Sequence, residues 1–351
     1  MRFSRKNVAG LAPYIPGYQP GPHEDSIKLN TNENPYPPSP VVVGALKDAV
    51  DGRLRLYPSP DSSVLRQKLA EAYRVKKEQV FCGNGCDEVI SMLFRTFIDR
   101  EDLVLLPYPT YTYYQTAAEI NGSPYRYIET GDRFQIDLER FLDHPAKAAV
   151  IVNPNSPTGM LLPRPELVEF IRAFPGLVVV DETYIDFSGP GQSVTPLIEE
   201  CDNLLVLRTF SKAFSLCGIR VGYAFGHPDL ITELDKTRDS YNVSFLSQVA
   251  AASALNDLEY TRANIREITA NREWLREQLL DLGFQVSPSG ANFLFASHPV
   301  RPAGELYQRL AERRIYVRHF DQRRIDNHLR ISVGARGEVE NLVASLKDIM
   351  G

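Results

Sequence analysis

The chain has 351 residues, 43% of them hydrophobic, and 44 acidic against 39 basic side chains give a formal charge of −5. That length suits two domains, and the mild acidity speaks against a nucleic-acid or anionic-membrane surface. No apolar run reaches the length of a membrane span, and the start MRFSRKNVAG lacks a signal-peptide core, so a cytoplasmic protein is expected.

Residues 1–40 read as an irregular arm. Prolines recur through it, among them Pro13, Pro16, Pro20, Pro35, Pro37, Pro38 and Pro40, and each fixes φ and removes a donor. Such an arm must lie against its own body or a partner subunit. Helical apolar spacing predicts helices over 40–51 and 62–75, separated by the break Leu56-Tyr57-Pro58-Ser59-Pro60. From 79 the pattern is strand, turn, helix. Val80 and Phe81 lead through Gly83-Asn84-Gly85 to Cys86-Asp87-Glu88, which opens an apolar helix over 89–98. Strand-like runs recur at 103–106, 124–128, 148–152, 177–180 and 204–207, with helices over 111–120 and 164–173 between them. Short apolar strands alternating with helices predict an α/β fold with a mostly parallel central sheet flanked by helices. A long helical tract over 247–282 leads to a smaller α/β domain with strand-like runs at 292–296, 315–317 and 328–333 and helices near 304–313 and 337–350. The expected organisation is an N-terminal arm over 1–40, a large domain over 41–255 and a small C-terminal domain over 256–351.

Cys82, Cys86, Cys201 and Cys217 form no CxxC pair and have no histidine close by, so buried free thiols are expected and a metal site is not. The chemistry gathers at predicted strand ends, where ligands bind in open α/β sheets. Between the apolar runs 204–207 and 221–225 stand Thr209, Ser211, Lys212 and Arg220. A lysine in apolar surroundings loses its charge more readily, and a neutral amine can form a Schiff base with a carbonyl. A lysine at a strand end can equally be solvated and idle. Thr209, Ser211 and Arg220 could bind a phosphate, as could the amides of Cys86 and Asp87 at a helix N-terminus. Together these suggest pyridoxal phosphate. Its ring nitrogen needs a carboxylate, for which Asp181 stands at a strand end; its phenolate oxygen needs donors such as Asn155 and Tyr184; its ring face wants an aromatic such as Tyr111. Arg318 and Arg330, in or beside strands of the small domain, would suit an anionic substrate if they converged on a cleft.

These residues stand in stretches that resemble the fold-type I pyridoxal-phosphate aminotransferases over nearly the whole chain. The stretches are NTNENP (30–35), LYP (56–58), NGCDE (84–88), PTY (109–111), NPNSPTG (153–159), DETYIDF (181–187), RTFSKAF (208–214), GIRVGY (218–223), IYVR (315–318) and LRISVG (329–334). DETYIDF, SYNVSFLSQ (240–248) and IYVRHF resemble most the branch acting in histidine biosynthesis. The resemblance implies that Lys212 holds the cofactor aldehyde, with Asp181 at the ring nitrogen. It puts Tyr184 on the phenolate oxygen, and Ser211 and Arg220 on the phosphate. Arg330 would take the acidic end of each substrate, histidinol phosphate or glutamate, with 2-oxoglutarate as amino acceptor; Arg318, Tyr14 and Asn34 would line the same pocket. Tyr57 would reach the cofactor of a neighbouring subunit, implying a homodimer with shared active sites. Ser156 stands before Pro157 where many relatives carry asparagine, so either Asn155 or Ser156 could meet the phenolate oxygen. Threonine-phosphate decarboxylases and aromatic-amino-acid aminotransferases share these cofactor residues, which therefore do not separate the three. A catalytically inactive pyridoxal-binding regulator would carry an additional domain, for which this length leaves no room.

Overall fold

The computed structural model describes residues 3–13, 16–21 and 24–351. Its strands are β1 (Ile27–Lys28), β2 (Val80–Gly83), β3 (Val104–Tyr108), β4 (Tyr125–Glu129), β5 (Ala148–Val152), β6 (Leu177–Asp181), β7 (Leu204–Thr209), β8 (Gly222–Gly226), β9 (Gln285–Val286), β10 (Phe293–Ser297), β11 (Ile315–Tyr316), β12 (Arg318–His319) and β13 (Leu329–Ser332). The large sheet runs β2-β8-β7-β6-β5-β3-β4. Only β8 opposes its neighbours; the other six strands share one direction, so their carboxyl ends open on the same side.

The apolar runs follow from covering this sheet on both faces. In β6, Val178 and Val180 enter one core while Leu177 and Val179 enter the other, as the two-residue period of a strand requires. β7 repeats the division, with Leu204 and Val206 against Leu205 and Leu207. Every residue of β5, β6, β7 and β8 is buried. Full burial of each such Val or Leu contributes roughly 1.5–3 kcal/mol, which fixes the register and hence which polar residues emerge at the strand ends.

A third core belongs to the small domain, around β9, β10, β12 and β13 and the helices Ala303–Glu312 and Arg336–Met350. Two departures from the sequence reading concern this region. The arm is not wholly irregular: Lys6–Ala9 is a short helix, and β1, in the proline-free stretch before Pro35, pairs in parallel with β11, placing Leu29 in the third core. The tract over 247–282 is two helices, Phe245–Ala254 and Leu258–Asp281. Asp257 breaks it by capping the second helix through Tyr260 N–H, while its other oxygen accepts Ser39 Oγ at 2.5 Å. A helix over Pro228–Thr237, with its proline at the start, went unpredicted. The long second helix bridges both domains: Arg272 Nη1 donates to Phe187 O at 3.0 Å and Ala291 O at 2.9 Å.

Candidate active site

A cavity of about 210 Å³ lies at the carboxyl ends of β2, β5, β6 and β7, closed on its far side by the small domain and by residues 30–32. At one end the chain builds an anion seat. Gly85, at φ +84°, turns β2 into the helix Cys86–Phe97, whose first residues, Cys86 and Asp87, line the cavity. Glycine is needed at 85 for its positive φ and at 222 for the close approach of the helix start. A Cβ on Gly85 would stand 2.4 Å from Arg220 Nη2, and one on Gly222 would stand 2.4 Å from Cys86 N. Thr209, Ser211 and Arg220 complete the seat: Thr209 Oγ1 donates to Ser211 Oγ at 3.0 Å, and Arg220 Nη1 reaches Ser211 Oγ at 3.5 Å. Arg220 is half exposed, and its pairing with Asp87 at 3.4 Å is a weak, solvated one, so the guanidinium can turn to a bound anion. The helix dipole adds about half a positive charge at the same place.

The cavity is also lined by an unusual carboxylate. Asp181 is 3% exposed, and burial pushes its pKa up. Oδ1 accepts the Thr183 N–H at 3.0 Å and Oδ2 accepts the Tyr114 hydroxyl at 2.9 Å. Tyr111 stands edge-on to Tyr114, with ring centroids 6.2 Å apart, and its hydroxyl donates to Asp87 at 3.0 Å. Lys212 follows β7 and is half-buried rather than enclosed by apolar side chains as its flanking runs suggested. Its Nζ donates to Thr31 O at 3.3 Å and lies 5.7 Å from the Tyr184 ring centroid. Tyr184 is buried, and its hydroxyl accepts Asn32 Nδ2 at 3.0 Å.

Both arginines line the same cavity, paired directly across β12 and β13. Arg330 donates to Asn30 O at 3.0 Å and Ser156 Oγ at 3.4 Å.

Twelve of the sequence-predicted residues therefore line this one cavity: Cys86, Asp87, Tyr111, Ser156, Asp181, Tyr184, Thr209, Ser211, Lys212, Arg220, Arg318 and Arg330. Three do not. Asn155 is fully buried behind it, with both amide hydrogens committed to Pro109 O at 2.9 Å and Thr158 Oγ1 at 3.1 Å, so it has no donor to offer; Ser156 faces the cavity instead. Asn34 holds the backbone under the lysine, donating to Lys212 O at 3.1 Å and Ala213 O at 3.2 Å. Tyr57 is 80% exposed and stacks on Tyr241, with centroids 4.5 Å apart. Tyr14 lies outside the described residues. Cys82 and Cys201 are buried free thiols, whereas Cys86 and Cys217 are half-buried and reach the cavity, one from a helix terminus and the other from a 3-10 turn. Sequence reasoning missed Tyr114, hidden in a run of tyrosines that reads equally as core, and Thr31 and Asn32, which lie inside the quoted NTNENP stretch.

The sheet, the lysine and carboxylate at adjoining strand ends, and the glycine-built anion seat together define the fold-type I pyridoxal-phosphate transferases. The family model for aminotransferase class I and II matches residues 24–346. The chain is 42% identical to histidinol-phosphate aminotransferase 2 of Dechloromonas aromatica over all of this chain and 99% of that one. It is 43% identical to histidinol-phosphate aminotransferase 2 of Burkholderia lata, with 99% of each covered. The chain belongs to the class I and II aminotransferases. The same fold is seen in the histidinol-phosphate aminotransferase of Sinorhizobium meliloti, solved in complex with pyridoxal-5'-phosphate, at a TM-score of 0.91, 24% identity, and coverage of 100% of this chain and 98% of that one. It is also seen in the L-threonine-O-3-phosphate decarboxylase of Porphyromonas gingivalis, at a TM-score of 0.82 and 23% identity over 92% of this chain and 99% of that one, so the fold alone does not select the reaction.

The Asp181 environment predicts a pH-dependent stability cost. With its pKa raised, the folded carboxyl keeps its proton to higher pH than the unfolded chain does. Its contribution to stability therefore falls as pH rises from about 4 through the folded value, and stays low above it. In cofactor-free protein, Asp181→Asn should melt above wild type at neutral pH, by about 1 kcal/mol or more in stability, and the gap should close toward about pH 4. Thermal scans at the two pH values measure it; equal melting points at both would mean that the buried carboxylate carries no such cost.

Proposed function

We propose that the chain is a pyridoxal-phosphate aminotransferase that moves an amino group between L-histidinol phosphate and 2-oxoglutarate, giving glutamate, in histidine biosynthesis. The observation that carries this reading is one cavity lined at once by Thr209, Ser211 and Arg220, by Lys212 and Asp181, and by Arg318 and Arg330. The seat fits the cofactor's phosphate, because Gly222 lets the start of the helix Cys86–Phe97 lie against β8, beside Arg220, Ser211 and Thr209. The buried Asp181 carboxylate fits a cationic ring nitrogen. When bound, pyridoxal phosphate supplies an electron sink for negative charge at the substrate carbon.

Each side chain then has a task. Arg220, Ser211, Thr209 and the first amides of the helix Cys86–Phe97 would hold the phosphate. Asp181 would keep a proton on the ring nitrogen, with Tyr114 and Thr183 fixing its orientation. Tyr111 would serve the ring face, and Tyr184 and Ser156 would offer hydroxyls to the phenolate oxygen. Lys212 would hold the aldehyde, and its free Nζ would carry the proton to and from the substrate carbon, the work of a positioned general base and acid. Arg330 and Arg318 grip the substrate's phosphate or carboxylate. Four free thiols fit a reducing cytoplasm. Among the described residues, no helix is long and apolar enough to cross a membrane.

The substrate assignment is checked by a panel. Reconstituted enzyme with 2-oxoglutarate should form glutamate from histidinol phosphate at a kcat/KM at least about tenfold above aromatic amino acids, a difference of about 1.4 kcal/mol. It should release no carbon dioxide from threonine phosphate. A faster aromatic transamination, or decarboxylation, would replace the assignment.

The homodimer belongs to the same reading. Val41, Val43, Leu54, Leu56, Tyr57 and Val64 are exposed within residues 40–64, and Tyr241 stacks on Tyr57, apolar surface that a second copy would cover. Tyr57 would then reach the partner's cofactor phosphate. Mixing Lys212→Ala and Tyr57→Phe proteins under subunit exchange should give activity well above either parent. One site of each heterodimer carries both defects and the other carries none. No gain despite confirmed exchange, with Tyr57→Phe impaired alone, would assign Tyr57 to its own subunit.

A further inference from the structure

Arg318 and Arg330 stand directly opposite each other on antiparallel strands. Like charges in that relation repel and are ordinarily destabilising. What stands beside them is the ring of Phe320. The Arg318 and Arg330 guanidinium carbons each lie 5.5 Å from its centroid, and Arg330 is also 5.4 Å from the Phe293 centroid. An aromatic face attracts a guanidinium and restricts where it sits, while its N–H groups keep their hydrogen bonds. Phe320 is itself held in place. It packs on Phe295, with centroids 6.5 Å apart, in a cluster with Phe134 and Met160 of the large domain and Ile325 of the small one. The segment after it is tied across the domains, with Arg324 donating to Thr130 O at 2.8 Å and Gly131 O at 2.7 Å. Phe320 does not line the cavity; both arginines do.

We propose that Phe320 is a positioning residue that holds Arg318 and Arg330 as one paired clamp, and that this clamp sets a preference for a dianionic phosphate over a single carboxylate. Two fixed positive charges at one place favour a ligand that brings two negative charges. A phosphate monoester also offers three oxygens to two guanidinium forks, whereas a carboxylate offers two. The preference rests on the substrate reading above; the positioning of the arginines does not.

The test uses the cofactor-loaded enzyme, in which the seat around Arg220 is already taken. Phe320→Leu removes the π face. It should raise the KM for histidinol phosphate and the inhibition constant of inorganic phosphate each by about five- to tenfold, the scale of a lost partly desolvated cation–π contact. The KM for glutamate, whose carboxylate the same arginines grip, should rise by a clearly smaller factor than that for histidinol phosphate, the kcat should stay within about twofold, and Phe320→Tyr should keep both phosphate constants at wild-type values. Should the leucine variant not fold, Phe320→Met gives the same readout with an unbranched side chain. Phosphate constants that stay within about twofold of wild type in a folded variant, or a glutamate KM that rises as far as the histidinol phosphate KM, overturn the proposal. An inhibition constant for inorganic phosphate that weakens while wild type does not turn over histidinol phosphate upholds the positioning and removes only the substrate assignment.

Discussion

The Asp181 carboxylate is buried at the end of a strand that is itself covered on both faces, and the rest of the site answers to that fact. A carboxylate out of water is costly unless it is paired. Thr183 and Tyr114 supply two hydrogen bonds, which orient the group without neutralising it. Among the described residues no ion pair is formed with it, and on the reading proposed above a protonated ring nitrogen would supply the cation. On that reading, part of the binding energy for the cofactor is stored in the folded protein as an unmet electrostatic demand. Function and stability pull against each other here, as they commonly do at built sites.

The sheet makes this possible. Six strands sharing one direction bring their carboxyl ends to one side, so residues distant in sequence meet. Asp181 ends β6, and Lys212 follows the end of neighbouring β7; the two strands are in parallel register, with Asp181 opposite Leu207. The small domain adds the arginines. Residues 27–32 join the domains: β1 pairs with β11, Asn32 N–H donates to Ser332 Oγ at 2.8 Å, and Asn292 donates to Asn32 O at 3.1 Å. That segment also gives Lys212 its carbonyl partner, so the lysine sits at the seam between the two domains.

Much of this was legible in the sequence, for reasons that differ by element. Strands buried on both faces read as continuous apolar runs, which is why β5, β6 and β7 stood out. The helix Arg164–Ala173 was read with its bounds because proline and acid mark its start. The break at Asp257 was not legible, since the residues on both sides keep helical spacing and only a tertiary contact with Ser39 fixes the cap. β1 was hidden because two residues carry no period; it exists only by pairing with β11, nearly 290 positions later. In the site, charged and hydroxylic side chains at strand ends were readable from their chemistry. Asn155 and Asn34 were not, because an amide serves a loop or a ligand equally well, and only the count of its committed hydrogens decides. Tyr114 and Phe320 were invisible for a related reason: an aromatic that orients a charge carries the same sequence signal as one that fills a core.

The central claim is that Asp181 holds a proton on the cofactor's ring nitrogen. Reconstitution with pyridoxal phosphate labelled with nitrogen-15 in the ring, followed by nitrogen NMR of the bound cofactor, reads that proton directly. The expected result is a protonated ring nitrogen at neutral and mildly alkaline pH in wild type, with the proton lost when Asp181 is replaced by asparagine. An unprotonated nitrogen in wild-type enzyme at neutral pH would contradict it.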